Sequence, residues 1–257
     1  MSYTLPTEKE KPQFLAKEFS KIAKSYDLFN TLSTFGLHKL WKKRMVSYVA
    51  KYIAGTFSKD ALHLADLLCG TGDLAFLLSN EFSTIKNEKV FITGLDISSG
   101  MLEVAQKKKK LLKQDNLNFV EKSINDLKEA FKPHSVNAIT MGFGLRNVPN
   151  IDTCLKDIFS VLKVKGVFVH IDLGTIGNPV LRFFSELYFF KLVPVIGRLL
   201  NNESTQFYSY LPHSNKKYVT ASELTQKLKN AGFVNIQEKK YVFGQVVRHI
   251  AIKDGRK

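Results

Sequence analysis

Two acid-ended apolar runs carry the first chemistry legible in this chain. Leu64-Ala65-Asp66-Leu67-Leu68 leads into Cys69-Gly70-Thr71-Gly72-Asp73, and the run from Val90 to Leu95 ends in Asp96. In a parallel α/β sheet both runs finish at the edge where such folds bind ligands. Gly70 and Gly72 let backbone approach a ligand closely, and Asp96 can accept two hydrogen bonds from a ribose diol. No Lys-Ser or Lys-Thr follows the glycines, which excludes a phosphate loop. The series Gly70-Thr71-Gly72-Asp73-Leu74-Ala75 is a poor dinucleotide fingerprint, because Asp73 stands where a helix N-terminus would meet a pyrophosphate. S-adenosylmethionine fits better: it has a ribose, an amino group and a sulfonium, and no phosphate. Its expected contacts are Asp66, Cys69, Gly70, Thr71, Gly72, Asp96, Ile97 and Met101, then Ser123, Ile124 and Gly142 after the next strands.

A second constellation follows the fourth apolar run: Gly142-Phe143-Gly144-Leu145-Arg146-Asn147-Val148-Pro149. It should face the transferable methyl. The Asn/Asp-Pro-Pro-aromatic motif that would accept an amine is absent there. Arg146 is too basic to serve as an ordinary base, but it can hold an oxyanion.

The elements that must position these residues alternate. Strands are expected at 61–68, 90–96, 117–121, 137–142 and 166–172, with helices at 73–82, 99–113 and 151–163 and a short helical piece near 125–131. A helix at 220–231 and strands at 233–241 and 244–252 close the chain. Before them, residues 1–12 read as a tail and 13–54 as helices broken around Ser33–Gly36. The alternation predicts an α/β three-layer sandwich around a mainly parallel seven-stranded sheet, with an antiparallel C-terminal strand. We divide the chain into a helical segment, 1–55, covering the site and a catalytic domain, 56–257. The aromatic stretch near 176–202 forms a helical insertion, either packed on the sheet edge or serving as a greasy lid.

The chain has 257 residues and a net charge of +15, and its cysteines, Cys69 and Cys154, show no metal-ligand spacing. We therefore expect no metal site and a reducing, cytoplasmic setting. No run of 18 apolar residues offers a membrane span. The dense run Lys107–Lys110 lacks interleaved aromatics and reads as a solvated helix face, so specific nucleic-acid binding is not expected.

Phe143-Gly144-Leu145-Arg146-Asn147-Val148 resembles a signature of the ubiquinone/menaquinone biosynthesis C-methyltransferase family. Tyr26-Asp27-Leu28-Phe29-Asn30, with Ser33 to Lys42 beyond, is similar to that family's other signature. Tyr208-Ser209-Tyr210-Leu211-Pro212-His213-Ser214 resembles its tyrosine box, and Gly244, His249 and Lys253 match its C-terminal pattern. The likeness covers roughly residues 14 to 253. It implies the class I methyltransferase fold, S-adenosylmethionine as methyl donor with Tyr26 over it, and an isoprenoid quinol as substrate. Arg146 and Asn147 would bind the quinol oxygens, with Asp126, Tyr208 or His249 as candidate proton acceptors or donors. Peripheral contact with the inner face of the cytoplasmic membrane and a homodimer remain open. So do another phenolic or lipid substrate and a scaffold role in a quinone-synthesis complex. Ile171-Asp172-Leu173 and Val164-Lys165-Gly166 depart from the family's usual residues.

Overall fold

The computed structural model describes residues 4–57, 61–83, 89–201 and 205–255. Parts of the expected tail (1–3) and insertion (202) lie outside them. Seven strands form one sheet: β1 (Leu62–Leu67), β2 (Val90–Asp96), β3 (Leu117–Glu121), β4 (Val136–Gly142), β5 (Leu162–Leu173), β6 (Phe233–Tyr241) and β7 (Val246–Lys253). Their order is β3-β2-β1-β4-β5-β7-β6. The pairs β1·β2, β1·β4, β2·β3 and β4·β5 are parallel, while β7 runs antiparallel to β5 and β6. Strand β4 is buried from Val136 to Met141, as a strand covered on both faces must be.

Helix α3 (Leu37–Thr56) covers one face with Trp41, Met45, Val49 and Ile53, a stripe of period four. Helices α4 (Asp73–Ser83) and α5 (Ser99–Leu112) follow β1 and β2. The short α6 (Leu127–Ala130), α7 (Ile151–Val161) and α11 (Ala221–Asn230) cover the opposite face, burying Leu155, Ile158, Leu224 and Leu228.

A third cluster joins α1 (Lys11–Ile22), α2 (Tyr26–Ser33), α9 (Val193–Leu200) and α10 (Thr205–Lys216). It contains Ile22, Phe29, Val193, Phe207 and Leu211, with Met101 of α5. The insertion is α8 (Pro179–Leu187), a wide turn over Tyr188–Leu192, and α9. Pro194 lies in the first turn of α9, directly after the wide turn, where its missing N–H leaves one carbonyl of that turn without a helical partner.

Two local features stand outside the expected elements. The tyrosine box is helical in α10 despite Pro212 inside it, because burial of Phe207, Tyr208 and Tyr210 outweighs the lost hydrogen bond. The turn at Val164-Lys165-Gly166 is absorbed into β5, with Lys165 at φ 63° and a register shift between Val136 and Ala138 on β4.

Candidate active site

The site opens between β1 and β4, where the chain's winding reverses and loops leave the sheet in opposite directions. Strand β1 enters its turn through Leu68 (φ 54°), Gly70 (φ 55°) and Gly72 (φ 85°). The Asp96 carboxylate is fixed from both sides, accepting the Gly70 N–H at 2.7 Å and the Ser98 N–H at 2.9 Å. A cavity of about 620 Å³ lies against it, walled by Gly70, Asp96, Ile97, Ser123, Ile124 and Gly142, with Tyr26 shared as a roof. At Gly142 a Cβ would come within 2.7 Å of the end of the Leu74 side chain, so a larger residue there would have to displace Leu74.

Five of the expected contacts build the turn from behind. Asp66 is buried, accepting Thr140 Oγ1–H at 2.9 Å and the Ala75 N–H at 3.2 Å; burial pushes its carboxyl up to about 7. It ties β1 to β4 and α4 instead of facing the cavity. The Cys69 N–H donates to the Leu95 carbonyl at 3.0 Å, and Thr71 Oγ1–H donates to Asp27 at 2.6 Å. Gly72 packs under Phe76 and Phe119, and Met101 lies in the helical cluster.

Lys108 corrects the picture of a wholly solvated lysine run. Its ammonium reaches Asp27 at 2.6 Å and Asp73 at 3.4 Å, pinning α5 to α2 and α4. Asp73 also pairs with Lys42 at 3.3 Å. Its charge, expected to meet the ligand, is instead taken up by two lysines, and it lines neither this cavity nor the next.

The second cavity, about 670 Å³, shares Tyr26 and Phe143 with the first. Arg146 lines it from the short turn Leu145–Asn147 that follows β4. Its guanidinium is ion-paired to Asp172, the Arg146 N–H donates to Asp172 Oδ2 at 3.3 Å, and Nε is buried without a partner. The pair holds the Asp172 carboxyl below the usual carboxylate range and the guanidinium above its own, each against the penalty of burial. Asn147 lines the first cavity, its Oδ1 accepting the Tyr210 hydroxyl at 3.0 Å. Lys11 of α1 pins the loop by donating to the Arg146 carbonyl at 2.9 Å and the Val148 carbonyl at 3.3 Å.

Three candidates are not brought to either cavity. Tyr208 packs against Phe29 and Phe207, its ring filling the space over Gly197. His249 lies on β7 behind Asp172, with Nε2 3.2 Å from the Ala221 carbonyl; burial, then His170, pushes it down to about 4. Asp126 is exposed on the short turn Ile124–Asp126. In their place stand Asn30, Thr34, His38 and Lys42, which line the second cavity with Tyr26. The signal was available: positions 26, 30, 34, 38 and 42 recur every four residues, the spacing of one helical face. The break at Ser33–Gly36 hid it.

A third cavity, about 890 Å³, continues outward and shares Thr34, Phe143, Leu173 and Phe189 with the second. Its walls are apolar, with Trp41, Leu181 and Tyr188 inside and Phe35 (79% exposed) and Phe243 (77%) at the rim. Phe143 touches all three cavities.

The family model described as the ubiE/COQ5 methyltransferase family matches residues 7–253. A demethylmenaquinone methyltransferase of Leptospira interrogans is 36% identical over 257 residues, covering 99% of this chain and 98% of its own. A ubiquinone/menaquinone biosynthesis C-methyltransferase UbiE of Brucella canis is 32% identical over 245 residues, covering 94% and 86%. Among solved structures, the CurJ carbon methyltransferase superposes with a TM-score of 0.63 at 12% identity, covering 98% of this chain and 72% of that one.

Proposed function

Because this chain belongs to the ubiE/COQ5 methyltransferase family, we propose that it transfers a methyl group from S-adenosylmethionine to a ring carbon of demethylmenaquinol. The observation that carries this reading is the row of three cavities joined at Phe143: one against Asp96, one lined by the two cations Lys42 and Arg146, then an apolar one open to the surface. Each suits one part of the reaction: donor, quinol head and isoprenoid tail.

The residues present fit the donor. No lysine or arginine lines the first cavity among the described residues, which suits a cationic ligand without phosphate. Asp96 would take the ribose hydroxyls, and Gly70 and Gly142 permit close approach. Bound there, S-adenosylmethionine supplies an electrophilic methyl on a positively charged sulfur. The chain's own part is to make the ring carbon nucleophilic. Lys42 and Arg146 favour the phenolate of a quinol in the second cavity, and their donors are set before the reaction begins. Phenolate charge reaches the ortho carbon. Helices α1–α3 and the α8–α9 insertion would cover the site and limit the water that reaches it.

The rim residues Phe35 and Phe243 stand exposed at the third cavity, and Phe183 and Phe184 are exposed on α8. On a protein of net charge +15 they suit a peripheral seat on an anionic bilayer, from which the tail could enter directly. No helix among the described residues is long and apolar enough to cross a membrane.

The test is mass spectrometry of quinones from cells lacking the protein. Demethylmenaquinone should accumulate and be chased to menaquinone by the wild type but not by Asp96→Ala. An unchanged quinone pool removes the quinone assignment and turns the search to other phenols.

A further inference from the structure

Thr34 Oγ1 has one proton and two close neighbours, the Asn30 carbonyl at 2.6 Å and His38 Nδ1 at 2.7 Å. A carbonyl cannot donate, so the hydroxyl proton goes to Asn30. The contact with His38 then requires the imidazole to donate, which places the ring proton on Nδ1. Nε2 is left with the lone pair, on a ring that lines the same cavity as Arg146 and Lys42. The break between α2 and α3 brings the two side chains together. Thr34 ends α2, Gly36 (φ 74°) turns the chain, and His38 lies one residue into α3, four after its partner.

We infer that His38 is the general base of the reaction and that Thr34 is the positioning residue that holds its tautomer. The inference rests on reading the second cavity as the quinol head-group site. In the step, a quinol O–H bond breaks, its proton passes to Nε2, and its electron pair flows into the ring. The ortho carbon bonds to the methyl carbon while the C–S electron pair stays on sulfur. That carbon then loses its hydrogen as a proton to water, the aromatic ring returns, and the imidazolium releases the first proton.

The surroundings keep the ring neutral and ready to accept. Burial and then Lys42 push His38 down to about 4, with Lys39 adding to them and Asp73 and Asp27 opposing. Arg146 and Tyr26 face it across the cavity. An imidazole of such low basicity needs a stabilised phenolate, which Lys42 and Arg146 provide. The three residues work as a set.

The test combines a substrate-free readout with kinetics. In histidine-¹⁵N-labelled enzyme without quinol, NMR should report His38 neutral with its proton on Nδ1. Thr34→Val should move that proton to Nε2 and slow methyl transfer, and Thr34→Ser should restore both. His38→Gln should keep S-adenosylmethionine affinity yet lower the single-turnover rate by about 10²–10⁴-fold. Its residual rate should climb tenfold per pH unit near neutrality, where the wild type is flat, and added imidazole should partly rescue His38→Ala. A wild-type proton on Nε2 overturns the proposal. So does a His38→Gln rate within about threefold of wild type, far short of a general base's contribution, with the same pH profile. A wild type that binds the donor but methylates no quinol overturns the head-group reading and the base with it.

Discussion

Burying Arg146 against Asp172 is unfavourable unless the remaining hydrogen-bonding positions are filled. Here Asp172 also accepts the N–H groups of Arg146 at 3.3 Å and Leu173 at 2.8 Å. Removing one charge leaves the other stranded: Asp172→Asn should lower unfolding free energy by about 3–5 kcal/mol in a urea titration. Arg146→Ala should reduce turnover about 10²–10³-fold, the scale of one preorganised oxyanion donor, with donor affinity nearly intact. Equal loss of both would mark the arginine as structural. That these residues would line the cavities was legible in the sequence because their types restrict what they can do: glycines permit close approach, Asp96 can accept from a diol, and Arg146 can hold an anion. The places of Tyr208 and His249 were not, because type does not reveal the direction in which a side chain points. Two residues apart on one helix, Tyr208 fills the aromatic cluster while Tyr210 reaches Asn147.

At the scale of elements, the strands and helices were readable from periodicity, since βα alternation and buried apolar runs leave few arrangements. What escaped was helix α10, hidden by Pro212, and the stripe Tyr26, Asn30, Thr34, His38, Lys42 that crosses the α2–α3 break. Some family positions serve elements instead of chemistry. Lys253 donates to the Phe159 and Leu162 carbonyls at 2.6 and 2.8 Å, closing the C-terminal end of α7. The helical cover depends on close packing of α9 against α10. A Cβ on Gly197 would stand 2.3 Å from the Tyr208 ring. Alanine's better helix propensity is worth about 1 kcal/mol, but overpacking typically costs about 1–3 kcal/mol. Gly197→Ala should therefore lower Tm and loosen the cover. An unchanged or raised Tm would show that the two helices part without loss.

Across the whole molecule, buried titratable groups pull in opposite directions. Asp66, raised to about 7, contributes stability that is lost as pH rises from its ordinary 3.8. His249, lowered from 6.5 to about 4, contributes stability that is full above 6.5 and lost as pH falls toward 4. The wild-type curve alone mixes these effects, so the comparison with His249→Gln isolates the histidine. The stability difference between the two proteins should fall by about 1–3 kcal/mol between pH 6.5 and 4, and a difference independent of pH would contradict the buried neutral ring. At the same scale, the charge of +15 and the exposed aromatics answer different questions. Salt should weaken binding to anionic vesicles, while Phe35→Ser with Phe243→Ser should weaken it at any salt. Binding that salt abolishes and the serines leave untouched would remove the aromatic rim from membrane contact.

The most direct measurement gives purified protein methyl-¹³C-labelled S-adenosylmethionine and demethylmenaquinol, and locates the label in the product by NMR. The row of three cavities predicts label on a ring carbon, and faster transfer to the tailed quinol than to its tail-free counterpart. Label on oxygen, or donor bound with no transfer to the quinol, would contradict it.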